Sequence, residues 1–256
     1  MKCINKNSTL KVLFFIFIRI FLDILEYLCG MKRKFVLLSF VFVFLLGGCG
    51  SNRLYDMVLN NIAEVRVALW EGETQDMQVS FISGYREKDY VVNGYCTEPI
   101  EFGVLTFDID EDIVLGDVVN YVISIGTVRY DGVLEHNPYN DTYVCDILRF
   151  VNSTDVIVAK IIAGEFVDSV ELSSVNLDWS MDYREALRLA VNEMREEIGV
   201  MVENDIFLGE CYIKILNDED VDNSHYWYIN FVSRKGQNYA VIIDPNSSEI
   251  MAKKTI

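Results

Sequence analysis

The chain has 256 residues, with 22 Lys and Arg against 39 Asp and Glu and a formal net charge of −17. Seven basic and two acidic residues precede Cys49, which leaves 15 basic and 37 acidic from Cys49 onward, a net of −22. So acidic a body lacks the clustered Lys and Arg that a nucleic-acid backbone requires, and 15 Gly, three Pro and no sustained heptad exclude collagen-like, low-complexity and coiled-coil chains.

In chain order, residues 10–29 come first. They are apolar but interrupted by Arg19, Asp23 and Glu26. Each charge costs about 2.5–3.5 kcal/mol at the centre of a spanning helix, so the stretch makes a poor span. The reading adopted is that translation begins at Met31 and residues 1–30 are an upstream extension; the alternative is an extra hydrophobic segment ahead of the signal.

Residues 31–50 read MKRKFVLLSFVFVFLLGGCG. Lys32, Arg33 and Lys34 form a positive n-region, and residues 35–46 are apolar apart from Ser39. That run is shorter than the roughly 20 residues a helix needs to cross a bilayer and has the size of a secretory signal core. It ends in Leu46-Gly47-Gly48-Cys49. These residues resemble the lipobox of bacterial lipoproteins, an aliphatic residue and two small ones before a cysteine. The resemblance implies that residues 31–48 are a signal peptide, that Cys49 carries a diacylglyceryl group, and that the mature protein is anchored on the extracytoplasmic face of the cell membrane. Residues 49–60 then serve as a short tether.

Residues 61–166 show a period of two with turn punctuation. Val65, Val67 and Leu69 alternate with Arg66, Ala68 and Trp70, and the turn at Glu71-Gly72-Glu73 leads to Met77, Val79 and Phe81. Residues 102–109, 118–130, 142–150 and 156–162 continue the pattern, and Asp131-Gly132 is a hairpin signal. Strands at such spacing without a helix predict an antiparallel β-sandwich or barrel.

The last third, residues 167–256, changes period. Asp182 and Glu185 are placed as the N-cap and N3 of a capping box. Leu187, Ala190, Val191, Met194 and Ile198 then fall on one helical face, with Gly199 in position for C′. Strands are expected over 206–215, 226–232 and 239–243, the last two joined by a turn at 234–237. The fold class expected for the whole is α+β. The helix, the run Tyr226-Trp227-Tyr228-Ile229-Asn230-Phe231, the Lys235-Gly236 turn and the run from Tyr239 to Asp244 resemble a PepSY-type domain over residues 180–254. In its closing motif, Ser247 and Ser248 stand where Thr and Gly are expected. The resemblance implies an exported interaction module or modulator of peptidases, and it brings no catalytic residues.

Little in the body points to chemistry. The cysteines after Cys49 are Cys96, Cys145 and Cys211; Cys96 and Cys145 share the β-rich half and are the more plausible pair, while all three also read as small buried hydrophobes. No CxxC or Cys/His cluster marks a zinc site. His136 and His225 stand apart from any GxSxG or HExxH motif. Two acidic runs, 108–112 and 218–222, place acids at positions 1, 3 and 5 of a loop but lack the Gly at 6 and Glu at 12 of an EF-hand, so they read as solvated turns. Trp70, Trp179 and Trp227 read as packing rather than a ligand platform. No cofactor motif occurs. The expectation is therefore a lipid-anchored binding or regulatory module with an envelope protein partner, a modulator of envelope peptidases among its possible forms. An envelope hydrolase and a small solute-capturing lipoprotein are the alternatives.

Overall fold

Strands with one apolar face must be covered by another layer or rolled onto themselves. The computed structural model, which describes residues 49–88, 99–218 and 224–255, does both. It is mostly antiparallel β-sheet with few helices. Every described strand belongs to one compact unit, Leu54–Ile256.

Helix α1 (Cys49–Leu59) leads into β1 (Ile62–Glu73), the strand on which the fold turns. One edge of β1 pairs antiparallel with β2 (Met77–Arg86) from Glu64↔Arg86 to Glu73↔Gln78. Its other edge is shared. Near its start it runs parallel to β12 (Glu210–Asp218), with Val65 beside Ile213, and near its end it runs antiparallel to β9 (Phe166–Ser174), with Trp70 beside Ser174.

From β2 the sheet continues through β3 (Ile100–Ile109) and β7 (Thr142–Ile147) to β6 (Glu135–Asn137). From β9 it continues through β8 (Ile157–Ala163) and β4 (Asn120–Ile125) to β5 (Val128–Val133). Only Leu134 separates β5 from β6, and its N–H bonds the Val119 carbonyl at 2.8 Å. The sheet thus comes close to closing as a barrel. Its interior is apolar: Trp70, Phe81, Leu105, Phe107, Ile123, Ile157 and Ile161 are all 0% exposed.

The second core lies under the helices. Helix α2 (Tyr183–Glu193) starts where the sequence predicts, with the Asp182 side chain accepting from the Arg184 and Glu185 N–H groups, each at 2.9 Å. Its apolar face buries Leu187, Ala190 and Val191 against the sheet β12, β13 (Ser224–Val232) and β14 (Asn238–Ile243), which supplies Ile213, Trp227, Ile229, Phe231 and Val241. Leu54, Tyr55 and Val58 of α1 belong to this same core. The edge strand is β15 (Ile250–Thr255).

Several local expectations are corrected. Residues 118–130 are not one strand but β4 and the start of β5, and the turn lies at Gly126, whose φ of 56° suits a residue without a Cβ. Asp131 and Gly132 sit inside β5, opposite Val122 and Tyr121. The helix does not run unbroken to Gly199: Met194 departs from helical geometry (φ −103°, ψ 29°), and a separate turn, α3 (Arg195–Gly199), carries Ile198 into the core. Gly199 is the last residue of α3 and Val200 its cap. The stretch read as one strand from 206 divides into β11 (Ile206–Phe207), which forms a hairpin with β10 (Val202–Glu203) through left-handed Asn204 and Asp205, and β12.

The alternation in β1 also breaks. Arg66 pairs with Gly84 but Ala68 with Ser83, so Val67 is an extra residue, a β-bulge. Odd-numbered Val65 and even-numbered Ala68 and Trp70 therefore share one face, and all three reach a core. At this crossing a Cβ on Gly84 would lie 1.9 Å from the Val65 carbonyl oxygen, so only glycine fits.

Candidate functional site

Where β1, β2 and β3 run side by side near Glu73, Gln78 and Asp108, the outward positions are polar and the inward ones apolar. In register across β1, β2 and β3, Glu71 lies beside Ser80 and Ser80 beside Thr106; two residues along, Glu73 lies beside Gln78 and Gln78 beside Asp108. With Thr142 of β7 and Asn217 of β12 these side chains line a hollow of about 730 Å³. It offers three carboxylates, two amides and three hydroxyls, and among the described residues no aromatic side chain lines it. One further residue holds its edge: His225, the cross-strand neighbour of Asn217, sits with Nε2 at 3.3 Å from the Glu71 carboxylate. The surface is rich in hydrogen-bond acceptors and negative in charge, which suits a ligand that brings donors or cations.

Of the described candidate residues singled out from sequence, Asp108 lines this hollow. Cys49 is the first residue of α1. His136, on β6, is exposed and bonded to Asp141 Oδ1 at 2.6 Å, with the Tyr143 ring at 5.1 Å. Among the described residues neither histidine bonds a serine or threonine hydroxyl. Of the first acidic run, Asp108 lines the hollow, while Asp110 caps its own turn by accepting from the Asp112 N–H at 3.0 Å. Of the second run, Asp218 ends β12 and residues 219–222 lie outside the described residues. Among the described residues no group of three or more His, Cys, Asp and Glu side chains could hold a metal ion.

Trp70 and Trp227 are packing residues, 0% and 1% exposed, and each indole N–H is satisfied by a carbonyl, that of Asp155 at 3.2 Å and that of Met181 at 3.1 Å. Trp179 packs edge-on against Trp227 at 4.9 Å. Cys145 and Cys211 carry free thiols, and Cys96 lies outside the described residues. Burial pushes the Cys145 thiol up to about 11; burial, then the neighbouring Cys145, pushes Tyr121 up to about 12. Cys211 is fully buried, and burial alone raises it far above the usual thiol range.

Glu71, Glu73, Gln78, Ser80, Thr106 and Asn217 are not distinguishable as site residues in the sequence, and Glu71 and Glu73, expected there to form a turn, lie instead inside β1 opposite Ser80 and Gln78. Each is an ordinary outward-facing strand residue, and what brings them together is cross-strand register. No protein-family model, curated protein or solved structure matches this chain. Among the described residues no helix is long and apolar enough to cross a membrane.

Proposed function

We propose that this protein is a lipid-anchored surface protein on the extracytoplasmic face of the cell membrane, where it acts as a binding or regulatory module. The observation that carries the binding reading is the acceptor-lined hollow over β1, β2 and β3. The anchor reading rests on residues 31–49, and only Gly50, Ser51, Asn52 and Arg53 separate Cys49 from Leu54, the first residue of the body's compact unit.

The finer division into a β-sandwich-like part (61–166) and a PepSY-like α+β part (167–256) is supported by the two cores, although Val65 and Leu172 each belong to the core of the other part. The PepSY-like reading is further supported at the closing turn. There Asp244 accepts from the Asn246 and Ser247 N–H groups at 2.7 and 3.2 Å, bonds that hold its carboxyl below the usual carboxylate range. Ser248, at the position where that family expects Gly, has a φ of 64°, the left-handed region glycine favours. On this reading the partner is an envelope protein such as a peptidase.

An envelope hydrolase would draw on the His225–Glu71 or His136–Asp141 pair, and a solute-capturing lipoprotein on the hollow. Mass spectrometry of the membrane-extracted protein tests the anchor: the mature chain begins at Cys49 and carries diacylglyceryl mass. A Cys49→Ala variant that is still processed and still retained on the membrane refutes it.

A further inference from the structure

Opposite the helices, the sheet formed by β12, β13, β14 and β15 has a second face that no described element covers. Side chains alternate along each strand, so the neighbours of the buried residues point outward together. Tyr212, Tyr226 and Tyr228 lie half-buried on this face with Ile242, and Leu216 is exposed there. Tyrosine is the kind of side chain that protein interfaces concentrate, because it brings a large contact area with a hydrogen-bonding tip.

The face has an internal order. One cross-strand row runs Glu64, Tyr212, Asn230, Ala240, Lys254 over β1, β12, β13, β14 and β15. The next runs Lys214, Tyr228, Ile242, Ala252. The first row is acidic at one end and basic at the other, with a large residue on one side of Asn230 and a small one on the other. Glu64 Oε1 accepts from Arg66 Nε–H at 2.8 Å, which leaves Oε2 for a second partner. Glu210 on the same face is occupied by the Tyr212 hydroxyl at 2.7 Å. Among the described residues Lys254 makes no ion pair.

We propose that this face is the interface of a symmetric dimer, a second copy of the chain docking sheet to sheet about a twofold axis that runs along β13. Such an axis reverses the strand order. It sets Lys254 over the partner's Glu64, Ala240 opposite the partner's Tyr212, and Tyr228 onto its own counterpart. Two sheets packed this way lie about 10 Å apart, and an isologous interface repeats each contact twice. The approach is unobstructed by α1, whose Leu54, Tyr55 and Val58 belong to the core on the other side of the sheet.

Cross-linking of the full chain in unfractionated cell lysate tests this. In a Tyr228→Cys variant, a bismaleimide that spans about 10 Å yields a species of twice the mass. Ser124→Cys, which places the thiol on the outward face of β4, and the wild-type chain do not. Lys254→Glu lowers the cross-linked yield about tenfold, and Lys254→Glu combined with Glu64→Lys restores it. No excess of the doubled species in Tyr228→Cys over the Ser124→Cys and wild-type controls overturns the dimer. A doubled species that the paired charge reversal fails to restore overturns the twofold arrangement. Both readouts are independent of whether Cys49 carries lipid.

Discussion

Tyr121 on β4 and Cys145 on β7 meet across the seam where the barrel nearly closes, and both are harder to ionise in the fold than in water. Burial is the main cause for each, since a low-dielectric surrounding disfavours the thiolate and the phenolate. The sign follows directly. A group whose folded pKa is raised contributes stability below its unfolded value and loses it as pH climbs toward the folded one. For Cys145 that window runs from 9.0 to about 11. The denaturation midpoint should therefore fall between pH 9 and 11, and Cys145→Val should make the fall shallower. A midpoint that stays flat across that interval in the wild-type chain is the contrary result. Cys211, 0% exposed in the core under the helices, is held in its thiol form by burial alone.

At the scale of elements, the features most open to sequence reading are those set by nearest neighbours. Asp182 caps α2 because its carboxylate is two and three residues from the N–H groups it receives, and Gly236 turns the chain between β13 and β14 with a φ of 80°. The bulge at Val67 was not open to such reading. Period-two logic puts Val65 and Trp70 on opposite faces, yet both are buried, at 4% and 0% exposure, because the extra residue resets the alternation between two cores. Deleting Val67 should restore strict alternation and expel either Val65 or the Ala68–Trp70 pair. The expected outcome is a chain that binds a dye for exposed apolar surface and lacks a cooperative melting transition. A native-like melt in the deletion variant would show that the bulge is dispensable.

For the molecule as a whole, β1 is the element both cores share. It gives Val65 to the core under the helices and Ala68 and Trp70 to the barrel interior. Losing either core unpairs the other's strand, so the body should unfold in one step. Trp70 reports on the barrel, and Trp179 with Trp227 on the helical core. Variants that keep only one of these reporters should give coincident urea transitions; separated midpoints would mean that the halves unfold independently. The sequence by itself determined that the body is β-rich, that a capped helix begins near residue 183, and that Trp70 and Trp227 belong in cores. These follow from periodicity and local hydrogen bonding, which act over a few residues. Only the tertiary structure decided that the sheet bends back almost into a barrel, that β1 runs parallel to a strand as distant in sequence as β12, and that Glu71, Ser80 and Thr106 line one hollow. Those depend on which strand edges meet and in what register, and the free energy that selects among registers comes from burying side chains far apart along the chain.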